Sequence, residues 1–138
     1  MMKKQLWLMI AVLLALTLTG CQDRAAQLKE EDVQMTYRQI GVEEAKKMMD
    51  EKNYDVILDV REQSEYRESH IPNAKLLPLG AIDEGSAADV IPAEDSVVLV
   101  YCRSGRRSKI ATEQLAEMGY TNVYEFGGII DWPYEVEN

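Results

Sequence analysis

Histidine and cysteine are nearly absent. The 138 residues hold one histidine, His70, and two cysteines, Cys21 and Cys102, far apart in the chain. That separation argues against a Cys-x-x-Cys dithiol motif and against a thiolate zinc site, so neither a metal nor a cofactor is expected. Positive charge is also scarce. There are 15 lysines and arginines against 24 acidic residues, a formal net charge of -9. Such a field repels phosphate backbones, which excludes nucleic acid as a partner on composition. Internal repeats and low-complexity tracts are absent. The apolar fraction is 46% and apolar runs recur through the second half, so the chain suits one folded domain rather than a disordered one.

The first twenty residues stand apart from that domain. MMKKQLWLMIAVLLALTLTG places Lys3 and Lys4 before an apolar run, Leu6 to Leu18, which is followed by small residues. This is the layout of a signal peptide, and the run is short for a transmembrane helix. It ends in Leu18-Thr19-Gly20-Cys21, which resembles the lipobox of bacterial lipoproteins. The resemblance implies cleavage before Cys21 and a diacyl lipid on that cysteine. The protein would then be anchored in the cell membrane, on its extracytoplasmic face. The alternative is an uncleaved anchor helix with a chance cysteine. Gln22–Gln34 is polar and aperiodic and reads as a tether. The expected divisions are therefore a leader over 1–20, a lipidated tether over 21–34 and a domain over 35–138. Loss of the leader takes the formal charge from -9 to -11. It also leaves Cys102 as the only free thiol, with no partner for a disulfide inside the monomer. Such a thiol is either buried filler or a reactive group.

From Met35 onward strands and helices alternate. MTYRQI, DVILDV, AKLLPL, SVVLVY and NVYEF read as strands, with AKLLPL near an edge because of Pro78. Val42–Asn53 reads as a helix burying Val42, Ala45 and Met49. A short polar helix is expected in REQSEYRES, and a weak helix or loop in GAIDEGSAADVI. RRSKIATEQLAEMG reads as a helix burying Ile110, Ala111, Leu115 and Met118 and stopping at Gly119. Strands apolar on both faces, alternating with helices, imply an α/β fold with a mainly parallel sheet covered on both sides. Ligands of such sheets bind beyond the carboxyl ends of strands. Cys102 and Arg61 both stand at such ends.

The stretch Cys102-Arg103-Ser104-Gly105-Arg106-Arg107-Ser108 joins the most apolar strand to the longest helix. Gly105 permits a tight turn, whose backbone N–H groups form an anion nest completed by the helix N-terminus. A thiol at its centre should ionise easily. Arg106 and Arg107 oppose the helix dipole, at about 0.3–1 kcal/mol each, so removing either should leave stability unchanged or slightly raised. Arginines there suit an oxyanion better than they suit the helix. The plainer alternative is a buried cysteine beside a solvated basic helix start.

These residues resemble the active-site loop of the single-domain rhodaneses, the sulfurtransferase family. Leu58–Ala74, LDVREQSEYRESHIPNA, resembles the family's first signature through Asp59, Arg61, Glu65, His70, Ile71 and Pro72, and GGIIDW resembles its closing segment. Ser69 and Asn73 stand where glycine is usual. The resemblance implies a three-layer rhodanese-like domain with a central five-stranded sheet flanked by helices. It implies a persulfide on Cys102, formed from a small anionic sulfur donor such as thiosulfate and passed to a thiol or cyanide acceptor. Arg103, Arg106, Arg107, the nest at Gly105, and the hydroxyls of Ser104 and Ser108 would hold the donor. Arg61 would support the rim by pairing with Asp59 or with a carboxylate at the loop, and His70 would pack rather than act as a base. A related fold houses cysteine phosphatases and arsenate reductases with a Cys-x5-Arg loop. Here Ser108 occupies the sixth place after Cys102 and Arg107 comes one early, which favours sulfur transfer. A non-catalytic binding module is a third class, against which the retained Cys102 argues. The leader makes its own prediction. Cys21→Ser should abolish lipid attachment and leader cleavage, which intact-mass analysis of protein from its host would report; an unmodified Cys21 with residues 1–20 retained in the native protein would contradict it.

Overall fold

The computed structural model describes residues 37–138. The leader, Cys21 and the tether lie outside the described residues. Five strands alternate with four helices: β1 (Tyr37–Gln39), α1 (Val42–Asp50), β2 (Val56–Asp59), α2 (Gln63–Glu68), β3 (Ala74–Leu76), α3 (Glu84–Val90), β4 (Val97–Cys102), α4 (Arg106–Glu117) and β5 (Asn122–Gly128). All strand pairs are parallel, in the order β1-β5-β4-β2-β3. The two central strands β2 and β4 are the most apolar, and nearly every residue in them is buried. Each Val or Leu fully removed from water contributes about 1.5–3 kcal/mol, which is why these segments take the middle of the sheet. β3 lies at the edge and ends before Pro78, which lacks an N–H for a further ladder bond.

Side-chain alternation along the strands divides the core in two. Val56, Leu58, Val98, Val100 and Cys102 face α3 and α4, together with Ala87, Ala111 and Leu115. Ile57, Leu99, Tyr101 and Phe126 face the other way, towards α1, Ile71 and Trp132. Cys102 therefore points to the α4 side, and its neighbour Tyr101 to the α1 side.

Three elements differ from the sequence reading. α1 ends at Asp50 rather than running to Asn53, because Lys52 takes a left-handed conformation (φ 56°) that closes the helix. β5 is longer than NVYEF, continuing through Gly127 and Gly128 with a shift in register against Val100 and Cys102. On α4, Ile110 is 37% exposed, and Ser108, Ala111, Thr112 and Leu115 form the buried face. Polar residues hold two of those four places because each hydroxyl finds a partner. Ser108 donates to the Glu125 carboxylate, and Thr112 to the Ser108 carbonyl.

One polar network ties the rim of the sheet together. Asp59 and Arg61 are 0% and 4% exposed. The Arg61 guanidinium forks onto Asp59, Nε to Oδ1 at 3.0 Å and Nη2 to Oδ2 at 2.6 Å, and Nη2 also donates to the Ser69 carbonyl at 2.7 Å. Tyr101 donates its hydroxyl to Asp59 at 2.7 Å and accepts the Ile71 N–H at 3.1 Å. Ser69 has an extended backbone that any residue adopts, and Asn73 (φ 67°) fills a left-handed position, so both replace glycine without difficulty. Removing one partner of a buried pair leaves an uncompensated charge. Asp59→Ala should lower unfolding stability by about 3–5 kcal/mol, read as a fall in the urea midpoint; a loss below about 1 kcal/mol would show the network to be dispensable.

Candidate active site

The loop after β4 closes around the sulfur of Cys102. The side chain is 1% exposed. Gly105 N–H donates to Sγ at 3.0 Å, and at the same residue the chain turns into α4 with φ 101°. Only glycine takes that conformation cheaply. Ser108 Oγ lies 3.5 Å from Sγ. The sulfur thus sits at the N-terminus of α4, ringed by donors. Burial pushes the Cys102 thiol up, but its contact with the Ser108 side chain and the N–H groups of Ser108, Gly105 and Ser104 outweigh it, and the thiol lies below its ordinary value.

The Gly-rich segment holds the loop from behind. A Cβ on Gly128 would fall 2.0 Å from the Arg103 carbonyl oxygen, so no side chain fits. The same carbonyl accepts the Ile130 N–H at 3.2 Å. This close backbone approach fixes the first half of the loop.

The three loop arginines do not share one role. Arg103 and Arg106 are exposed at the rim, as is Ser104. Arg107, expected from the sequence to hold a substrate anion, is engaged elsewhere. Its guanidinium forks onto Glu65 of α2, at 2.7 and 2.8 Å. Arg107 holds the Glu65 carboxyl down to about 2, despite an opposing push from burial. The cation that works against the α4 dipole is therefore balanced by an acid from another helix. Ser108 is also turned inward, being completely buried with its hydroxyl on Glu125. Arg61 takes Asp59 as its partner. Burial pushes its guanidinium down, but the bond and the charge of Asp59 hold it above its ordinary value. His70 stacks on Tyr66 (ring centroids 3.8 Å apart, 9° between planes) and its Nδ1 lies 2.9 Å from the Tyr66 carbonyl oxygen. Its Nε2 lies 3.4 Å from the Glu137 carboxylate, so both ring nitrogens face partners other than the sulfur.

Two residues of the site carried no role in the sequence reading. Glu65 was visible as part of the first signature, but its partner is 42 positions away and only the fold brings them together. Glu125 looked like an ordinary strand acid. The available signal was its place two residues after Val123, which puts both side chains on the buried α4 face of β5.

The comparisons with known proteins identify the family and the fold. Residues 41–133 match the rhodanese-like domain family. Thiosulfate sulfurtransferase PspE of Escherichia coli is 40% identical over 74 residues, covering 54% of this chain and 70% of that one. Thiosulfate sulfurtransferase GlpE of Coxiella burnetii is 38% identical over 100 residues, covering 71% and 89%. Among solved structures, a rhodanese with anions from E. coli is 36% identical with TM-score 0.55, covering 60% of this chain and 96% of that one. A rhodanese-like domain protein of Staphylococcus aureus is 30% identical with TM-score 0.63, covering 72% and 96%. The chain belongs to the rhodanese-like family. It is a sulfurtransferase of the rhodanese type.

The Glu65–Arg107 pair generates a prediction whose sign differs from the helix-dipole argument. A carboxyl held below its unfolded value stabilises the fold above that value and loses the benefit as pH falls through its folded one. Arg107→Ala should therefore cost about 1 kcal/mol at neutral pH. The difference from the parent should vanish as pH falls from 4.5 towards about 2, where Glu65 protonates. Denaturant midpoints of both proteins over that range measure it; equal or greater stability of the variant at neutral pH would contradict it.

Proposed function

We propose that the protein carries sulfane sulfur on Cys102 as a persulfide, taken from a small anionic donor of the thiosulfate type and delivered to a thiol or cyanide. The observation that carries this reading is the Gly105 N–H aimed at Sγ from 3.0 Å, at the positive end of α4. The names of the two sulfurtransferase relatives support thiosulfate as the donor class.

In the first step the Cys102 thiolate attacks the outer sulfur of the donor. A new S–S bond forms at Cys102, the donor's S–S bond breaks, and its electron pair leaves on sulfite. In the second step the acceptor thiolate or cyanide attacks the outer sulfur of the persulfide, and the electron pair returns to Cys102. The loop N–H groups around the sulfur and the exposed Arg103, Ser104 and Arg106 receive the anion and the developing charge. Arg107 acts through the loop's shape instead, because its fork of donors is turned onto Glu65. The sequence of residues 1–34 supports a location for this chemistry at the extracytoplasmic face of the membrane, with the domain tethered through lipid on Cys21.

Steady-state assay of thiosulfate:cyanide sulfur transfer tests the assignment. Cys102→Ser should abolish turnover. Arg106→Ala should lower kcat/KM for thiosulfate about tenfold, the equivalent of roughly 1.4 kcal/mol of transition-state stabilisation. Normal turnover by the serine variant, or hydrolysis of a generic phosphate ester in place of sulfur transfer, would overturn the reading.

A further inference from the structure

A carboxylate lies behind the nucleophile with no cation to balance it among the described residues. Glu125 is 3% exposed. Its Oε1 accepts from Ser108 Oγ at 2.6 Å and from Gly127 N–H at 2.8 Å, and its Oε2 from Gln39 Nε2 at 3.3 Å. Every one of these donors is neutral. On the far side of Ser108 Oγ, at 3.5 Å, lies Cys102 Sγ. Thiol, hydroxyl and carboxylate therefore form an unbroken chain, in which the first two groups are 1% and 0% exposed.

Ser108 has one proton to give. The Gly105 and Gly127 carbonyl oxygens lie 3.0 and 3.3 Å from its oxygen, and the Glu125 carboxylate lies nearest. A charged acceptor at the shortest distance takes that proton. With Glu125 ionised, the Ser108 oxygen thus presents lone pairs to sulfur and accepts the S–H. With Glu125 protonated, the carboxyl donates to Ser108, and the serine proton is free for the thiolate. The chain has two polarities, and passing between them moves one proton along each link.

We propose that Glu125 is the proton partner of Cys102, receiving the thiol proton through the Ser108 hydroxyl and returning it when the sulfur is handed on. The proposal rests on Cys102 being the sulfur carrier. The exchange balances: the S–H bond breaks, the serine O–H is exchanged, and a carboxyl O–H forms, while the charge of the pair stays at minus one. Two negative charges across one buried hydroxyl would repel, so ionisation of either group opposes that of the other. The other charged groups around the thiol leave this coupling in place. Arg107 acts on Cys102 but is paired with Glu65, and Glu62 lies next to that pair. On the Glu125 side β1 contributes the neutral Gln39, and α4 contributes Ser108 and Thr112.

The test is the pH dependence of Cys102 alkylation by iodoacetamide in the full chain. The rate is read at the Cys102 peptide by mass spectrometry. The reagent is uncharged and the measurement requires no sulfur donor, so a protein inactive towards thiosulfate would still report on the coupling. A lone thiol loses reactivity tenfold per pH unit below its midpoint. The coupled pair should show a shoulder about one unit wide or more below the thiol midpoint, where a constant fraction of the molecules has passed the thiol proton to the carboxylate. Glu125→Gln keeps an acceptor oxygen for Ser108 and removes the charge. It should erase the shoulder and speed alkylation about tenfold just below the thiol midpoint. Ser108→Ala should narrow the shoulder. An unbroken tenfold-per-unit profile in the parent protein overturns the proposal by itself, whatever the variants do. So does a shoulder unchanged in Glu125→Gln, and one of undiminished width in Ser108→Ala overturns the route through the hydroxyl.

Discussion

A sulfur atom at the carboxyl end of a buried strand becomes a useful anion only if backbone donors reach it in place of water. In this protein Gly105 N–H reaches Cys102 Sγ at 3.0 Å, joined by the N–H groups of Ser104 and Ser108, and much of the surrounding structure serves that cradle. The cradle is accompanied by a left-handed turn at the donor residue itself, hence glycine. It demands that α4 begin immediately afterwards, so that the positive end of the helix faces the sulfur. It also demands that the loop be pressed down from outside, which the bare backbone of Gly128 achieves against the Arg103 carbonyl. The parallel sheet places β4 at its centre, between β5 and β2, and so delivers Cys102, Gly128 and the Asp59–Arg61 pair to one rim.

Charge is distributed by the same logic. The protein as a whole is acidic, with a formal net charge of -9, and repels the anions its loop is built to receive. Local cations answer this, but only two of the three loop arginines remain free at the surface. Arg107 is bound to Glu65, which anchors the first turn of α4 to α2 and offsets the repulsion between a cation and the helix N-terminus. Inside, the Asp59–Arg61–Tyr101 network satisfies each of its buried polar groups, and burial together with the charge of Asp59 pushes the Tyr101 hydroxyl far above its ordinary range. The network is a fixed support rather than a source of protons.

Much of this was legible in the sequence. The alternation of apolar strands and helices gave a parallel α/β sheet. The sequence CRSGRRS after an apolar run marked the loop, and Gly119 marked the end of α4, where its φ is 99°. The failures were those of long-range pairing. Ile110 was expected inside because it is apolar, but Ser108 and Thr112 displaced it by finding acceptors that no local pattern reveals. Arg107 read as a ligand for substrate because Glu65 is remote in sequence. Glu125 passed unnoticed because an acid in a strand reads as solvent-facing until the burial of Val123 on the same face is taken into account.

The account stands on Cys102 as the atom that carries sulfur. Mass spectrometry of the thiosulfate-treated protein, without reductant, addresses that directly. The Cys102 peptide should be heavier by one sulfur atom, and cyanide should remove that atom as an equimolar amount of thiocyanate. An unmodified Cys102 after exposure to the donor, or sulfur found on any other residue, would contradict the account.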